Sequence, residues 1–364
     1  MQRSLPIAIP VLAGLIVAVL TAAGFNGDVP LSAGGLMAAL AVLGVLVVTV
    51  FAAVHHAEIV AHRLGEPLGT LVLTLAVTII EVALIASIML NKVSDPTLAR
   101  DTVFAVIMIV CNGLVGACIV IGAVHYREQE FQVEGASAYL IVLAPLAVLT
   151  LVLPNYTTTT AGPTFSTLQL EYVSVVTVLI YCIFLFIQTV RHQNFFQADQ
   201  IETDGGQPDD HPTNRATAIS AVCLVGALVV VILLAKKFAV MLEIGLAHWQ
   251  APRALAGVVV ALLVLLPEGV SAMRAARNDV LQKSLNLALG SSLATIGLTI
   301  PAVAIVSIWF EKDLVLGLRP TETVLLILTL FVSLLTFGTG RTNVLSGLVH
   351  LVIFVTFLFL VFAP

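Results

Sequence analysis

The chain is built from apolar segments, most of them close to the roughly 20 residues that a helix needs to cross a bilayer. A membrane interior offers the backbone no hydrogen-bond partners, so such segments must be helical there. Only 10% of the 364 residues are charged, against about 25% in soluble domains. We predict an all-α integral membrane protein with eleven transmembrane helices, at residues 5–23, 31–54, 68–90, 103–124, 139–153, 170–190, 216–235, 255–275, 284–310, 321–336 and 344–363.

One long polar stretch, residues 191–215, divides the predicted helices into six before it and five after it. Its Gly and Pro content predicts a loop, and its acids are Asp199, Glu202, Asp204, Asp209 and Asp210. With residues 1–30 set apart as an N-terminal transmembrane helix, five spans remain in 31–190 and five in 216–364. Two successive units with an odd number of spans face opposite ways, which predicts an inverted-topology repeat of the kind found in transporters.

The Lys and Arg residues between the predicted helices bear on orientation, because cytoplasmic loops carry an excess of them. With a cytoplasmic N-terminus, nine lie inside and seven outside, which favours that orientation. The acidic loop is then cytoplasmic, either as a plain linker or as a segment that gathers or senses cations. The inside set is Arg3, Arg63, Arg127, Arg191, Arg215, Arg274, Arg277, Lys283 and Arg341, and the outside set is Lys92, Arg100, Lys236, Lys237, Arg253, Lys312 and Arg319.

Two glutamates lie inside predicted membrane helices, each the second span of its group of five. Glu81 lies near the middle of TLVLTLAVTIIEVALIASIML, and Glu268 lies in VVVALLVLLPEGVSA. A charged side chain at this depth costs about 3 kcal/mol on insertion scales, so an ionisable residue there is by default a functional-site hypothesis. The alternative is that each glutamate is satisfied by a neighbouring helix and only fixes packing.

Oxygen donors accompany both glutamates. Thr74 and Thr78 share a helical face with Glu81, while Pro267 has no N–H and so leaves the Leu263 carbonyl without its helical partner. Further candidate donors on the following spans are Asn112, Ser291, Ser292, Thr295 and Thr299. Carboxylate, hydroxyl, amide and carbonyl oxygens suit hard cations such as Ca²⁺, Mg²⁺, Mn²⁺ or Na⁺. Ser and Thr also bond to their own helix backbone, which is the structural alternative for each of them.

A pair of carboxylates can exchange a cation for protons. Two like charges close together in a low-dielectric site cannot both ionise easily, so one pKa rises, whereas a bound cation neutralises both. Cation and protons then compete for Glu81 and Glu268 without separate coupling machinery.

Three segments resemble the calcium/cation:proton exchanger (CAX) family, most closely its bacterial ChaA-type antiporters. They are HHAEIVAHRLGEPLGTLVLTLAVTIIEVALI, LPEGVSAMRAARNDVLQKSLNLALGSSLATIGLTIP and FGTGRTNVLSGLVHL. The resemblance implies one N-terminal helix before two inverted five-helix repeats, with an acidic segment between them. It implies that Glu81 and Glu268 bind cation and proton. It further implies a Ca²⁺/H⁺ antiporter of the bacterial inner membrane, driven by the proton gradient.

The segments differ from the wider exchanger pattern in their oxygen donors. Thr78 and Leu265 stand where that pattern has Asn, and Ala294 and Thr295 stand near its usual Gln. Fewer strong donors favour a less dedicated site. A mainly Na⁺(K⁺)/H⁺ antiporter with the same site is therefore the alternative. Inorganic cations, protons and the lipid bilayer are the predicted partners, with no nucleic acid, no cofactor and no enzymatic activity. No P-loop motif occurs in the sequence, which argues against ATP-driven transport.

His55, Glu58 and His62 share one helical face and form the basis of a competing hypothesis. Their spacing could suit zinc, but their order matches neither HExxH nor HxxEH. A solvated face at the membrane boundary is the simplest interpretation, and a pH-sensing role is the second, since histidine titrates near neutrality.

Substitution of His55 and His62 by Gln separates the transporter from a membrane enzyme that uses this face. We expect cation-driven proton flux in proteoliposomes to be unchanged, because neither imidazole belongs to the predicted site. Complete loss of activity in the double variant would favour the enzyme.

Overall fold

The computed structural model describes residues 5–28, 32–90, 95–196 and 212–363. The acids Asp199, Glu202, Asp204, Asp209 and Asp210 of the predicted cytoplasmic loop lie outside the described residues. Thirteen α-helices occur in the described part, and several of them join through π-helical segments. Their bounds are α1 Leu5–Ala22, α2 Ala33–Leu64, α3 Leu68–Met89, α4 Leu98–Met108, α5 Val115–Tyr126, α6 Val133–Ala147, α7 Thr167–Phe186, α8 Asn214–His248, α9 Ala254–Arg277, α10 Leu281–Ala294, α11 Ile300–Trp309, α12 Pro320–Phe337 and α13 Val344–Phe362.

Ten spans within the described residues are long and apolar enough to cross a membrane, and α1 adds a shorter apolar helix. Some spans combine two helices, as in Leu98–Tyr126 and Leu281–Trp309. All eleven predicted segments coincide with these spans. The ends differ most for α2 and α8, which continue past the last apolar residue of their predicted segments.

A buried lysine accounts for part of the extra length of α8. The sequence analysis placed Lys237 in a loop, whereas the structure places it inside the helix, 7% exposed. Its Nζ donates to the carbonyl oxygen of Phe25 and lies 5.8 Å from the centre of the Phe25 ring. The helix can continue because both contacts satisfy the ammonium group locally.

Side chains cap several of the helices at their N-termini. Ser32 accepts a hydrogen bond from Gly35 N at 3.2 Å, and Asn343 accepts one from Ser346 N at 3.3 Å. Ser166 and Gln169 form a reciprocal capping box before α7. Such caps satisfy amide groups that the helix leaves without partners, so they set where these spans begin.

The chain forms two compact units. The first contains α1, α2, α3 and α8, and the second contains α4–α7 and α9–α13, with α9 entering it at Gly257. Within the first unit, α2 and α3 both pack against α8. Arg63 of α2 donates to the Asn214 side chain of α8 at 2.7 Å.

The second unit has two mostly interior spans. Within an apolar 18-residue stretch of each span, 78% of the residues are buried in Leu98–Tyr126 and 67% in Leu281–Trp309, against 28% to 50% in the other eight spans of the described residues. Each is interrupted by a π-helical segment. We call Ile109–Leu114 the first π-helical segment and Thr295–Thr299 the second; two others, Val148–Val152 and Ile187–Arg191, lie near the ends of the spans of α6 and α7. Such single-turn segments occur frequently at functional sites. Each interior span is the third of its group of five, so the π-helical segments occupy matching places in the two predicted repeats.

A short β-ribbon, which the sequence analysis did not predict, joins two turns of the second unit. β1 (Glu128–Glu130) pairs antiparallel with β2 (Arg341–Asn343). The exposed ion pair between Arg341 and Glu130, at 2.7 Å, lies on the ribbon. The buried side chain of Gln129 donates to Ala276 O at 3.2 Å and to Asp279 Oδ1 at 2.8 Å. The ribbon thereby holds the end of α9, the helix that carries Glu268.

Substitution of Gly257 by Ala tests the close approach of α9 to α4. A Cβ atom there would lie 2.7 Å from the backbone carbonyl carbon of Asp101, so we expect overpacking to cost about 1–3 kcal/mol and to lower the melting temperature in detergent. Gly226→Ala is the matched control, because nothing lies within 4 Å of its Cβ position. Equal melting temperatures for the two variants would contradict the packing described.

Candidate functional site

Glu81 lies on the buried face of α3 in the first unit. Its side chain is 1% exposed and Thr78 is 7% exposed. Apolar residues that share this face include Ile80, Leu84 and Ile85. The structure therefore places this carboxylate away from the surface, with a threonine on the preceding turn, as the sequence predicted.

Glu268 lies on α9 in the second unit and is half-buried. Pro267 lies inside this helix, which continues to Arg277. The missing N–H of Pro267 leaves the carbonyl of Leu263 without a main-chain donor four residues on. A Cβ atom on the neighbouring Gly269 would lie 3.8 Å from Leu114 Cδ1. The carboxylate thus belongs to a stretch of α9 that passes the end of the first π-helical segment.

Ser291 and Ser292 lie one turn before the second π-helical segment. Ser292 is 0% exposed, and among the described residues neither Oγ atom has a hydrogen-bond partner. Other hydroxyls of these spans do bond to their own backbone, as Thr150 does to Leu146 O at 2.7 Å. These two serines therefore do not bond to their own helix backbone, which was the structural alternative for them. Their hydroxyl oxygens are available to bind a ligand.

Asn112 lies within the first π-helical segment and is 0% exposed. Its Nδ2 donates to Thr329 Oγ1 at 2.9 Å, and its Oδ1 lies 3.1 Å from His350 Nδ1. The sequence analysis proposed this amide as a cation ligand but did not identify His350 or Thr329 as its partners. A histidine inside the apolar run of α13 was the signal that could have drawn attention to it.

The predicted site residues fall into two groups. Glu81 and Thr78 belong to the first unit, while Leu263, Glu268, Asn112, Ser291 and Ser292 belong to the second. Within the second unit, α10 packs directly against the π-helical segment that carries Asn112. This unit therefore brings carboxylate, hydroxyl, amide and carbonyl oxygens onto neighbouring elements, the donor set that hard cations prefer. The pairing of Glu81 with Glu268 stays a prediction.

Arg100 and Asp101 form a buried ion pair that the sequence analysis missed. Arg100 was placed in a loop, but it lies in the first turn of α4, 7% exposed, with Asp101 Oδ1 2.7 Å away. Thr97 Oγ1 donates to the other carboxylate oxygen at 2.9 Å. Arg100 also donates to the carbonyl of Gly317 at 3.2 Å. These partners satisfy the charges, which allows the arginine to be buried.

His55, Glu58 and His62 all lie exposed on α2, whereas the neighbouring His56 is 1% exposed. Within the described ranges, no group of three or more His, Cys, Asp or Glu side chains could hold a metal ion. The exposure of the three side chains agrees with a solvated helical face.

Comparison with known proteins covers nearly the whole chain. The family model for the sodium/calcium exchanger protein matches residues 33–190 and 219–363. The putative ionic transporter y4hA of Sinorhizobium fredii is 49% identical over 88% of this chain and 87% of its own length. The sodium-potassium/proton antiporter ChaA of Escherichia coli is 40% identical over 89% of this chain and 88% of its own length.

The fold has a counterpart among solved structures. The crystal structure of the Ca²⁺/H⁺ antiporter protein YfkE matches 100% of both chains with a TM-score of 0.71 at 16% identity. A likeness at this identity concerns the fold. It confirms the predicted all-helical membrane fold, while the division into an N-terminal helix and two inverted five-helix repeats stays a prediction.

Substitution of Ser292 by Ala tests whether its hydroxyl is held ready for a ligand. No hydrogen bond is lost, so we expect the melting temperature to stay the same or rise. Ser284→Ala is the matched control on the same helix, because Ser284 Oγ donates to Ala272 O at 2.8 Å and its loss should cost about 1 kcal/mol. An equal fall in both variants would show that Ser292 has a structural partner.

Proposed function

Because this chain belongs to the sodium/calcium exchanger protein family, we propose that it is a secondary-active cation/proton antiporter that exports Ca²⁺ in exchange for protons. Exchange of cations by a multi-pass membrane protein is what the family and the ten membrane-length helices of the described residues support directly. The resemblance to ChaA-type antiporters is confirmed by the 40% identity to ChaA itself. The ion and the two-carboxylate mechanism are the further steps of the proposal.

The observation that carries the proposal is the burial of Glu81. Its side chain is 1% exposed within an apolar membrane helix. An isolated ionised carboxylate is costly there, so it must be protonated or paired with positive charge. A transported cation and a transported proton both meet this requirement, and the carboxylate holds one or the other at each stage of the cycle.

Glu268 supplies the second carboxylate in the proposed mechanism. Leu263 lies on the same helix, and Ser291 and Ser292 lie on α10 of the same unit. Cation binding neutralises both glutamates and releases their protons, while protonation expels the cation. Because the two ligands compete for the same oxygens, the proton gradient can drive cation export without a further coupling element.

The nature of the cation separates two candidate functions. Two carboxylates can neutralise one Ca²⁺ fully, which favours Ca²⁺/H⁺ exchange. Na⁺(K⁺)/H⁺ exchange is the second candidate. It is favoured by the 40% identity to ChaA, which is a sodium-potassium/proton antiporter. The oxygen donors favour Na⁺(K⁺)/H⁺ exchange as well, because a site with fewer strong donors is less dedicated to Ca²⁺. The residues that stand in place of the usual Asn and Gln are Thr78, Leu265, Ala294 and Thr295.

The repeats and the orientation complete the proposal. The two repeats are residues 31–190 and 216–364, supported by the π-helical segments at matching places in Leu98–Tyr126 and Leu281–Trp309. Residues 1–30 form an additional transmembrane helix, and 191–215 form the loop between the repeats. We place the N-terminus and the loop in the cytoplasm on the distribution of Lys and Arg, and the protein in the bacterial inner membrane on its similarity to ChaA.

Substitution of Glu81 or Glu268 by Gln tests the mechanism. Either change removes the titrating group at nearly constant size, so we expect cation-driven proton flux in proteoliposomes to fall to that of protein-free vesicles. Glu66→Gln is the matched control, because Glu66 is exposed in the turn before α3. Robust flux in either buried-site variant would contradict the two-carboxylate mechanism.

The same vesicles identify the cation. With an imposed pH gradient, we expect Ca²⁺ at micromolar concentration to release protons from wild-type vesicles. A response to millimolar Na⁺ or K⁺ alone would replace Ca²⁺/H⁺ exchange by the second candidate function.

A further inference from the structure

His350 is a fully buried histidine within the last membrane helix, α13, where it is 0% exposed. Both of its ring nitrogens lie within hydrogen-bond distance of a side-chain oxygen. Nδ1 lies 3.1 Å from Asn112 Oδ1, and Nε2 lies 3.0 Å from Thr336 Oγ1. Buried polar groups are normally hydrogen-bonded, and both partners of this imidazole are side chains of neighbouring elements, Asn112 in the first π-helical segment and Thr336 in α12.

The contacts of Asn112 define which histidine nitrogen carries the proton. Asn112 Nδ2 donates to Thr329 Oγ1 at 2.9 Å, which turns the amide oxygen towards His350. An amide oxygen only accepts, so Nδ1 of His350 must be the donor. In the neutral imidazole Nε2 is then the acceptor, and the Thr336 hydroxyl donates to it. One consistent set of donors and acceptors therefore runs from α12 through His350 to the first π-helical segment.

Close packing around His350 leaves the ring little freedom. A Cβ atom on Gly116 of α5 would lie 3.0 Å from His350 Cβ and 3.0 Å from Gly347 O. A Cβ atom on Gly347 would lie 2.9 Å from Gly116 O. The backbones of α5 and α13 thus meet at these two glycines, and Gly347 lies one turn before His350, so this contact limits the distance from His350 to Asn112.

We propose that His350 is a positioning residue for cation transport, which acts by holding the amide of Asn112 in one orientation. The proposal rests on the proposed antiport function. Asn112 lies in a π-helical segment that packs against α10, the helix of Ser291 and Ser292. The amide oxygen has two lone pairs, of which His350 occupies one. The other lone pair keeps a fixed direction and can bind a cation. His350 then acts as the hydrogen-bond partners of metal ligands do, because such partners hold the ligand in one orientation.

Two substitutions of His350 separate this role from plain packing. In His350→Asn the side-chain amide can donate from near the Nδ1 position, so the contact with Asn112 is kept and the contact with Thr336 is lost. In His350→Gln the amide reaches the Nε2 position, so the contact with Asn112 is lost. We expect the Gln variant to raise the half-saturating cation concentration about tenfold or more, with the Asn variant close to wild type.

The kinetic outcomes discriminate between the hypotheses. His125→Gln is the matched control, because His125 is exposed at the end of α5. Equal half-saturating concentrations for His350→Asn and His350→Gln would overturn the positioning role while leaving the antiport function intact. A wild-type protein that exchanges no cation for protons would instead overturn the proposed function.

A spectroscopic measurement tests the contact without transport. In ¹⁵N-histidine-labelled protein in lipid bilayers, the signal that disappears in His350→Asn belongs to His350. We expect that signal to show a protonated Nδ1 and an unprotonated Nε2, and to shift in Asn112→Ala. A protonated Nε2 with a bare Nδ1 would overturn the proposal, whatever the transport assay shows.

Discussion

The hydrocarbon interior of a membrane offers no hydrogen bonds, and the rest of this structure depends on how the chain meets that constraint. Backbone groups meet it by forming helices throughout the spans. Hydroxyls such as Thr150 meet it by bonding to a carbonyl one turn back. Arg100 and Asp101 meet it by pairing with each other. The polar side chains that remain inside the spans are the ones to which the proposed function assigns the ion.

Those departures are concentrated near two breaks in regular helix. The hydroxyls of Ser291 and Ser292 precede one π-helical segment, and Asn112 lies inside the other. Glu268 follows a proline that removes a main-chain donor from α9. Glu81 lies in a regular helix of the first unit, and its burial is the observation that supports its proposed role in binding cation and proton. Of the oxygens in the proposed transport cycle, the hydroxyls of Ser291 and Ser292 have no hydrogen-bond partner among the described residues.

Much of this fold follows from the sequence, because every span is long and apolar enough to cross a membrane as a helix, whose backbone groups pair within the span. The ends of α2 and α8 could not be predicted, since their polar turns are stabilised by tertiary contacts such as that of Lys237 with Phe25. Glu81 and Glu268 could be identified because an ionisable residue contrasts with its apolar surroundings. The partners of Asn112 could not, because His350 is 238 positions away in the chain. The β-ribbon was missed for the same reason, since its two strands are three residues long and far apart in sequence.

The central claim is that cation and protons compete for the same two carboxylates. The most direct test measures proton release when Ca²⁺ or Na⁺ is added to purified protein in detergent, where no gradient or transport contributes. The account predicts that cation binding releases protons from the wild-type protein, and that the release is lost in the double variant Glu81→Gln/Glu268→Gln. Cation binding without proton release would contradict it, because cation and protons would then occupy separate sites.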